Sequence, residues 1–304
     1  MKLIKPSFEI REQSSGLEGV YKQIEGAGRV CYKSEDKIAE GTAKAFVDRM
    51  IASGHGAMLE HGTVYLKCET EVINRYIHPE DGEEEDFNKL EKYEYNSYSV
   101  TNDDGIYLYV TTNLRVLVEN DWLDDLQYIC EPTEYHEKRI TVKFICDRGV
   151  SHEFVRHRVF SFAQESTRYC NYSKDKFDSE CTFIIPCWLN IVEGSYTLED
   201  VEEKYDRCLI TDSGKGITNE AAEYIRSLIY SEKTYFSLLD RNWRPQQARA
   251  VLPNSLKTEL VMTGFVSDWK HFFELRCSSS AHPQARELAI PLQEEFIARG
   301  YINN

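Results

Sequence analysis

Long apolar runs are missing from this chain of 304 residues. No stretch approaches the roughly 20 consecutive apolar residues that a membrane helix requires, and the first residues contain no run of signal-peptide length. Nine cysteines are present, but no two form a CxxC pair, so neither a zinc ribbon nor a disulfide framework is expected. We therefore expect a cytoplasmic protein with reduced thiols and no membrane partner.

The common nucleotide-binding motifs are also absent. The chain contains no GxxxxGK[ST] P-loop and no GxGxxG fingerprint after a strand, and the pair Gly26 and Gly28 lacks a third glycine. HExxH, GxSxG and paired Cys/His zinc spacings are missing too, so we predict no metal site. A nucleotide or cofactor would need another architecture.

Basic charge is scarce, because 36 Lys and Arg stand against 51 Asp and Glu, for a net charge of −15. A nucleic-acid partner is not expected, since it would need a net basic face. Between Glu69 and Asp104, 12 acidic and three basic residues leave a local charge of −9. We expect the run Glu80–Asp86 to be a solvated loop or helix end, and residues 69–138 to be an acidic insertion in one catalytic domain over 1–304.

The chain is 41% hydrophobic, which is enough for a substantial core. Helices and strands alternate without a regular βαβ rhythm, so we predict an α+β fold with a mixed β-sheet flanked by helices. The predicted strands are Thr63–Cys68, Ile106–Thr111, Ile140–Cys146, Thr182–Ile185 and Glu259–Met262. The predicted helices are about 36–53, 113–129, 149–158, 197–210, 217–239, 267–277 and 283–299.

One locally basic stretch, from Ser151 to Tyr169, stands out in this acidic chain. On a helix, the consecutive residues 156–158 (Arg-His-Arg) would point about 100° apart, toward separate anionic or polar partners. The polar residues Gln164, Glu165, Ser166 and Arg168 follow, and they suit a phosphate or a pyrimidine edge. A solvated basic helix face is the alternative, but the interleaved phenylalanines indicate that part of the stretch lies near a core.

The stretch resembles the signature of the flavin-dependent thymidylate synthases. Residues 156–158, seven further residues and Ser166 match the RHR-x7-S pattern of that family. Three other segments are similar to family motifs: residues 54–61 to GHxxxxEH, 248–253 to ARxxLP, and 272–276 with 281–284 to the FLxLR…AQ ending. The resemblance covers roughly residues 20–66 and 139–299.

The resemblance implies an enzyme that methylates dUMP to dTMP. Family members use 5,10-methylenetetrahydrofolate as the carbon donor and NADPH as the reductant, through FAD. The resemblance also implies the single elaborated domain of the family and a homotetramer with active sites at subunit interfaces.

The resemblance also assigns roles to individual residues. Arg276 matches a catalytic arginine that contacts the uracil ring, where a permanently charged guanidinium stabilises developing negative charge; a helix C-terminal arginine that complements the dipole is the alternative. Contacts with dUMP are implied for Glu153, Phe154, Val155, Arg156, Gln164, Glu165, Ser166, Thr167, Arg168 and Arg249. Contacts with FAD or folate are implied for His55, Ala57, Glu60, Arg156, His157, Arg158, Gln164 and His271.

Three places depart from the family pattern. Gln164 stands where glutamate is common, Phe265–Ser267 where Asn-x-Arg is common, and His271 where asparagine is frequent, which predicts a variant FAD pocket. These departures leave a non-catalytic flavin- or nucleotide-binding homologue as an alternative. An RNA-modifying folate/FAD methyltransferase is a third alternative, which the net charge disfavours. Ser166 is interpreted as a hydrogen-bonding residue because the sequence places no Cys or His to activate it as a nucleophile.

Overall fold

The computed structural model of the chain describes residues 1–70, 73–77, 84–174, 177, 179–202 and 219–303. The strands are β1 (Lys2–Ile4), β2 (Ser7–Arg11), β3 (Thr63–Glu69), β4 (Ile73–Ile77), β5 (Glu84–Asn88), β6 (Val100–Asp103), β7 (Tyr107–Asn113), β8 (Arg139–Asp147), β9 (Ser161–Gln164), β10 (Thr182–Ile184), β11 (Gly194–Ser195) and β12 (Lys257–Phe265). The helices are α1 (Gly16–Tyr32), α2 (Thr42–Ala52), α3 (Gly56–Leu59), α4 (Leu114–Glu119), α5 (Arg148–Phe154), α6 (Leu198–Glu202), α7 (Asn219–Asp240), α8 (Pro245–Ala248), α9 (Val266–Arg276) and α10 (Pro283–Ala298).

The described strands form four sheets. The central sheet has the order β2-β8-β12-β9, and its neighbouring strands are antiparallel. A second antiparallel sheet has the order β3-β7-β6, and β4 pairs with β5 in a hairpin. The fourth sheet, β10-β1-β11, is mixed, because β1 is parallel to β10 and antiparallel to β11. The α+β class is confirmed, with the strands divided among several sheets.

Helices cover both faces of the central sheet at β12. Leu260 and Met262 pack into the core formed with α9 and α10, while Val261 between them packs against Val30 of α1 on the other face. Successive side chains of a strand point to opposite faces, so a strand covered on both sides reads as one continuous apolar run. The apolar residues 260–262 lie within the strand predicted at Glu259–Met262.

The segment before β9 packs closely against the central sheet at Gly264 of β12, which has no side chain. A Cβ on Gly264 would lie 2.6 Å from the ring of Phe160, closer than two carbon atoms can approach. Phe160 also packs against Trp269 of α9, with ring centroids 4.7 Å apart. Glycine at position 264 therefore allows the turn before β9 to sit directly on β12.

Most long elements agree with the sequence prediction, and the differences have local causes. The five predicted strands are confirmed within one to three residues at each end, as are the helices at 219–240, 266–276 and 283–298. The helix predicted at 36–53 begins only at Thr42, since Gly41 has a φ of 78°. The helix predicted at 113–129 ends at Glu119, because Asp121 adopts a φ of 58°. For the helix predicted at 197–210, residues 203–210 lie outside the described residues.

Helix α1 is absent from the prediction. Its sequence contains several glycines, which disfavour a helix by about 1 kcal/mol each relative to alanine. Tertiary packing supplies the missing stability: Ile24 and Val30 are fully buried. Gly28 faces the ring of Phe46 so closely that a Cβ would lie 2.6 Å away. The glycine that weakens the helix signal thus permits the close contact between α1 and α2.

The acidic segment contains more regular structure than its composition predicts. Glu84–Asn88 form a strand paired with Ile73–Ile77, so the expected loop or helix end is wrong for these residues, while residues 80–83 lie outside the described residues. Backbone pairing across a hairpin is not visible in charge composition, which explains the difference. Strand β7 pairs with β3 along its whole length, and the insertion at 69–138 stays a prediction.

The core between the central sheet and α9 provides a stability test. Trp269 is fully buried and its indole N–H donates to the carbonyl of Ile140 at 3.1 Å. Trp269→Ala should lower the free energy of unfolding by about 3–5 kcal/mol, measured by guanidinium unfolding followed by circular dichroism. The matched control is Trp243→Ala, whose ring is 46% exposed and which should cost less than about 1 kcal/mol. Equal losses in the two variants would contradict this account of the core.

Candidate functional site

The signature stretch crosses from one end of β8 to β9 through a short helix and a turn. Asp147 caps α5, because its Oδ1 accepts a hydrogen bond from the Val150 N–H at 2.7 Å. The helix ends at Phe154, so the helix predicted over 149–158 is too long. Residues 156–158 lie in the turn that follows, where Arg156 and Arg158 are exposed while His157 is 7% exposed. Burial in a turn, and not helical rotation, separates the three side chains.

Arg276 at the end of α9 is bound to this stretch through three N–H groups. Nε donates to Nε2 of His157 at 2.9 Å, Nη1 donates to the Glu153 carboxylate at 2.8 Å, and Nη2 donates to the Glu153 carbonyl at 2.6 Å. The side chain of Arg276 is only 13% exposed. A guanidinium has five N–H donors, so two remain for another partner.

The imidazole of His157 stays neutral at physiological pH. Burial, followed by the charge of Arg276 and by His271, lowers the pKa of His157 to about 4. A neutral ring can accept the hydrogen bond from Arg276, which a protonated ring could not. His271 is exposed, with its ring centroid 6.4 Å from that of His157, and it therefore lies beside the predicted catalytic arginine.

Gln164, the last residue of β9, and Glu165, the next residue, both form side-chain hydrogen bonds within the protein. Gln164 donates from Nε2 to the hydroxyl of Ser151 at 2.9 Å and to that of Thr258 at 3.2 Å. Glu165 is buried, and Lys257 donates to one of its carboxylate oxygens at 2.7 Å. Gln164 is therefore fixed between α5 and β12, and Glu165 is directed into the interior.

Phe154 and Val155, two of the residues for which a dUMP contact was implied, lie toward the core. Phe154 is fully buried, with its ring centroid 5.0 Å from that of Phe144 and 5.1 Å from that of Phe272. Val155 is half-buried against the same core. The side chain of Phe154 thus faces other aromatic rings and helps hold α5 against α9.

Ser166 and Arg168 occupy the turn after β9. The N–H of Ser166 donates to the carbonyl of Cys31 at 3.0 Å, and its hydroxyl oxygen accepts from the Arg168 N–H at 3.3 Å. Arg168 is exposed. Among the described residues no basic side chain bonds to the Ser166 hydroxyl, so no group is in place to activate it as a nucleophile.

A pocket without carboxylates lies beside Thr167. Its volume is about 290 Å³, and its cationic or imidazole side chains are Arg148, His152 and Arg249. Arg249 donates to the Thr167 hydroxyl at 2.9 Å, while Nη1 of Arg148 is buried with no hydrogen-bond partner among the described residues. An unpaired buried donor costs about 1–3 kcal/mol. A pocket of this charge is suited to bind an anion.

The GHxxxxEH segment meets the signature stretch through Arg139. His55 and Ala57 are exposed, whereas Glu60 forms an ion pair with Arg115. Arg139 donates to the carbonyl of Glu60 at 2.9 Å and to the hydroxyl of Ser161, the first residue of β9, at 3.2 Å. The segment is thereby held next to β9.

Four groups of site residues emerge, and two of them are joined where the Ser151 hydroxyl donates to the Arg148 carbonyl at 2.9 Å. Sequence reasoning did not single out Arg148, His152, Arg139 or Lys257. The available signal for Arg148 was its place directly after a buried strand, where α/β proteins position functional side chains. The four groups are Arg276 with Glu153, His157 and His271; Gln164 and Glu165 with Ser151 and Lys257; Thr167 and Arg249 with Arg148 and His152; and Glu60 with Arg115, Arg139 and Ser161.

Two kinds of feature are absent from the described residues. No group of three or more His, Cys, Asp and Glu side chains is arranged to hold a metal ion. No helix there has the length and apolar character needed to cross a membrane.

The chain resembles proteins of one family. The model of the family described as "Thymidylate synthase complementing protein" matches residues 132–299, more than half of the chain. A flavin-dependent thymidylate synthase from Corynebacterium aurimucosum is 25% identical over 285 residues, which cover 93% of this chain and 77% of that protein. Another, from Corynebacterium efficiens, is 31% identical over 149 residues, 49% of this chain and 53% of that protein. One from Pyrococcus furiosus is 29% identical over 154 residues, 51% of this chain and 52% of that protein.

Among solved structures, the UMP/dUMP methylase PolB from Streptomyces cacaoi bound with 5-Br dUMP is similar at a TM-score of 0.41. The two chains are 17% identical, and the match covers 98% of this chain and 93% of PolB.

The lowered pKa of His157 predicts how stability depends on pH. An unfolded histidine has a pKa of about 6.5, and the folded value is about 4, so the unfolded state gains the proton first as pH falls. The free energy of unfolding is therefore lost between about pH 6.5 and pH 4, by about 2–3 kcal/mol. His157→Gln keeps an acceptor for Arg276 and should remove this part of the loss, measured by urea unfolding at several pH values. His61, whose pKa is lowered to about 3, is present in both the wild type and the variant, so its contribution to the pH dependence cancels in the comparison. Identical pH slopes for the two proteins would contradict the prediction.

Proposed function

The chain belongs to the family of thymidylate synthase complementing proteins, and from that premise we propose that it methylates dUMP at C5 to give dTMP. The carbon donor is 5,10-methylenetetrahydrofolate and the reductant is NADPH, acting through FAD. The observation that carries the proposal is the pocket without carboxylates around Thr167 and Arg249. The pocket is formed partly by the signature stretch. The net charge of the chain is −15, so the positive charge of the pocket is a local feature, which an anionic ligand would explain.

The phosphate of dUMP is the proposed ligand of this pocket. Guanidinium groups bind phosphate through paired hydrogen bonds, and the pocket offers Arg148 and Arg249. The buried Nη1 of Arg148 lacks a partner among the described residues, and a phosphate oxygen would satisfy it. Ser166 and Arg168, which flank Thr167 in the turn after β9, are the other proposed contacts.

Arg276 is the proposed catalytic residue for the base. Three of its five N–H donors are already bound to Glu153 and His157, so the guanidinium is fixed in orientation before a ligand arrives. The two remaining donors would bind the uracil ring and stabilise negative charge there, which raises electron density at C5. Neutral His157 supports this role, because it accepts a hydrogen bond from Arg276 without adding a competing charge.

The residues of the turn after α5 have the chemistry that FAD requires. Arg156 and Arg158 are exposed guanidiniums, and Arg156 forms a long ion pair of 3.8 Å with Glu153. Exposed guanidiniums of this kind can bind a pyrophosphate. Exposed His271 and His55 offer imidazole nitrogens, with Ala57, Glu60 and Gln164 as the remaining proposed contacts. The bound flavin would supply the reducing equivalents for the transferred carbon. The protein's part is to hold it and to orient dUMP.

We further propose that the enzyme is a homotetramer whose sites lie between subunits. Several proposed contact residues, including His55, Arg156, Arg158 and His271, are exposed on the single chain, and subunit association would bring such residues from different chains together. Analytical ultracentrifugation of the full chain would test the mass directly. A monomeric protein with full activity would contradict this arrangement.

A reconstituted assay tests the activity as a whole. The full chain with FAD should form dTMP from dUMP, 5,10-methylenetetrahydrofolate and NADPH, and the purified protein should be yellow. Absence of dTMP with all four present would contradict the proposal. Binding of dUMP without oxidation of NADPH would identify a non-catalytic homologue instead, and tight, salt-sensitive RNA binding would point to an RNA methyltransferase.

Arg276 provides the sharpest test of the catalytic assignment. Arg276→Ala should lower kcat about 100- to 1,000-fold, because a preorganised donor at the developing charge is lost, while FAD absorbance is retained. The control is Arg226→Ala, which removes a surface ion pair with Glu223 and should leave kcat unchanged. Loss of FAD and of the circular dichroism signal in Arg276→Ala would show a structural role instead.

Arg148 and Arg249 test the phosphate pocket. Substituting either by alanine should weaken dUMP binding about tenfold or more, since a charge-assisted hydrogen bond contributes about 1.5–3 kcal/mol. Calorimetry with dUMP and with deoxyuridine separates the phosphate from the base: the variants should lose affinity for dUMP only. An equal loss for deoxyuridine would contradict the assignment of the phosphate to this pocket.

A further inference from the structure

A group of buried and half-buried charges surrounds Glu259, the third residue of β12. Lys33 donates to Oε1 of Glu259 at 2.5 Å, Lys257 donates to the same oxygen at 2.7 Å, and Lys143 forms an ion pair with Oε2 at 2.5 Å. With Glu165, these residues form what we call the lysine–glutamate cluster: Lys33, Lys143, Lys257, Glu165 and Glu259.

The cluster is joined to the signature stretch at Glu165. Lys257 donates to Oε2 of Glu165 at 2.7 Å, and the hydroxyl of Tyr172 donates to Oε1 at 3.2 Å. The backbone N–H of Glu165 also donates to the carbonyl of Glu259 at 2.8 Å. Both the side chain and the main chain of Glu165 are therefore fixed to β12.

The charges of the cluster persist although they are buried. The side chain of Glu165 is 1% exposed and that of Lys257 is 14% exposed. Burial opposes the charge on Glu259, but Lys257, Lys33 and Lys143 hold its pKa well below the usual range. Burial likewise opposes the charge on Lys257, but Glu165 and Glu259 raise its pKa. Removing one partner would leave an uncompensated charge in the interior, which typically costs 3–5 kcal/mol.

Four separate parts of the chain meet in this cluster. Lys33 follows α1, Lys143 is in β8, Lys257 and Glu259 are in β12, and Glu165 follows β9. The next residue after Glu165 is bound to α1 as well, through the hydrogen bond from the Ser166 N–H to the Cys31 carbonyl. The turn that presents residues 166–168 is thus held on both sides at its first two residues.

We propose that the lysine–glutamate cluster positions the Gln164–Arg168 stretch for nucleotide binding, with Lys257 and Glu165 as positioning residues. The inference rests on the proposed function, because dUMP is the ligand of that stretch. Neither side chain needs to touch the nucleotide. Glu165 faces inward, and its neighbours Gln164 and Thr167 face Ser151 and Arg249; a shift of Glu165 would move those contacts together.

The test separates positioning from stability with a pair of variants. Lys257→Met leaves Glu165 buried without its cation and should lower both the Tm and the affinity for dUMP. The double variant Glu165→Gln with Lys257→Met removes both charges at similar volume, so its Tm should return toward that of the wild type. Its Kd for dUMP should stay about tenfold weaker, because the strong bond that fixes the turn is gone. In turnover, the KM of the double variant for dUMP should rise, while its kcat should stay within about twofold of the wild-type value.

Two further variants complete the design. Tyr172→Phe removes only the hydroxyl bond to Glu165 and should weaken dUMP binding about threefold without unfolding the protein. The control is Lys44→Ala, since Lys44 and its partner Asp48 are both well exposed and lie outside the site. Wild-type affinity in both the folded double variant and Tyr172→Phe would overturn the inference and leave the cluster a purely stabilising feature.

The readout distinguishes this inference from the proposed activity. Calorimetric binding of dUMP to the full chain reconstituted with FAD requires no turnover. If the wild type binds dUMP but makes no dTMP, the activity is overturned and the affinities of the variants still decide the positioning role. If the wild type binds no dUMP, both are overturned.

Discussion

The antiparallel pairing of β8 with β12 is the constraint on which the rest of the site depends. The two strands pair over nine consecutive positions, from Lys257 opposite Asp147 to Phe265 opposite Arg139. One end of β8 leads into α5 and the signature stretch, while the far end of β12 leads into α9 and Arg276. Because the register is fixed by a continuous ladder and by apolar packing on both faces, these connected elements start from fixed positions. Arg276 can then meet His157 although 119 residues separate them.

The charged residues are distributed unevenly over the structure. The chain has a large acidic excess, yet its predicted site contains a pocket lined by Arg148, His152 and Arg249 without a carboxylate. Lys257, by contrast, is paired with the buried carboxylates of Glu165 and Glu259. Buried charges are tolerated where they are paired. At the pocket, the buried Nη1 of Arg148 has no hydrogen-bond partner among the described residues, which supports the proposal of an anion there.

The family signature predicted where the candidate site lies, but the geometry of those residues follows from tertiary contacts. The Arg156–Arg158 triplet was expected on a helix and lies in a turn, because α5 ends at Phe154, whose ring packs between Phe144 and Phe272. A contact with dUMP was implied for Glu165, whose carboxylate accepts a hydrogen bond from Lys257, 92 residues away in sequence. No local pattern could identify that partner, since both residues are charged and their burial depends on how β9 and β12 pair.

Local sequence predicted the long elements of this protein: β8 and β12 from the strand-like runs Ile140–Cys146 and Glu259–Met262, and α7, α9 and α10 from helical patterns. It also determined the chemistry at hand, through the consecutive basic residues and the arginines of the two later motifs. Tertiary structure decided α1, whose glycines disfavour a helix until Phe46 packs against Gly28. It also decided which charges face inward. The physical reason is that propensity and periodicity act over a few residues, whereas the burial of a charge depends on partners brought together by the sheet.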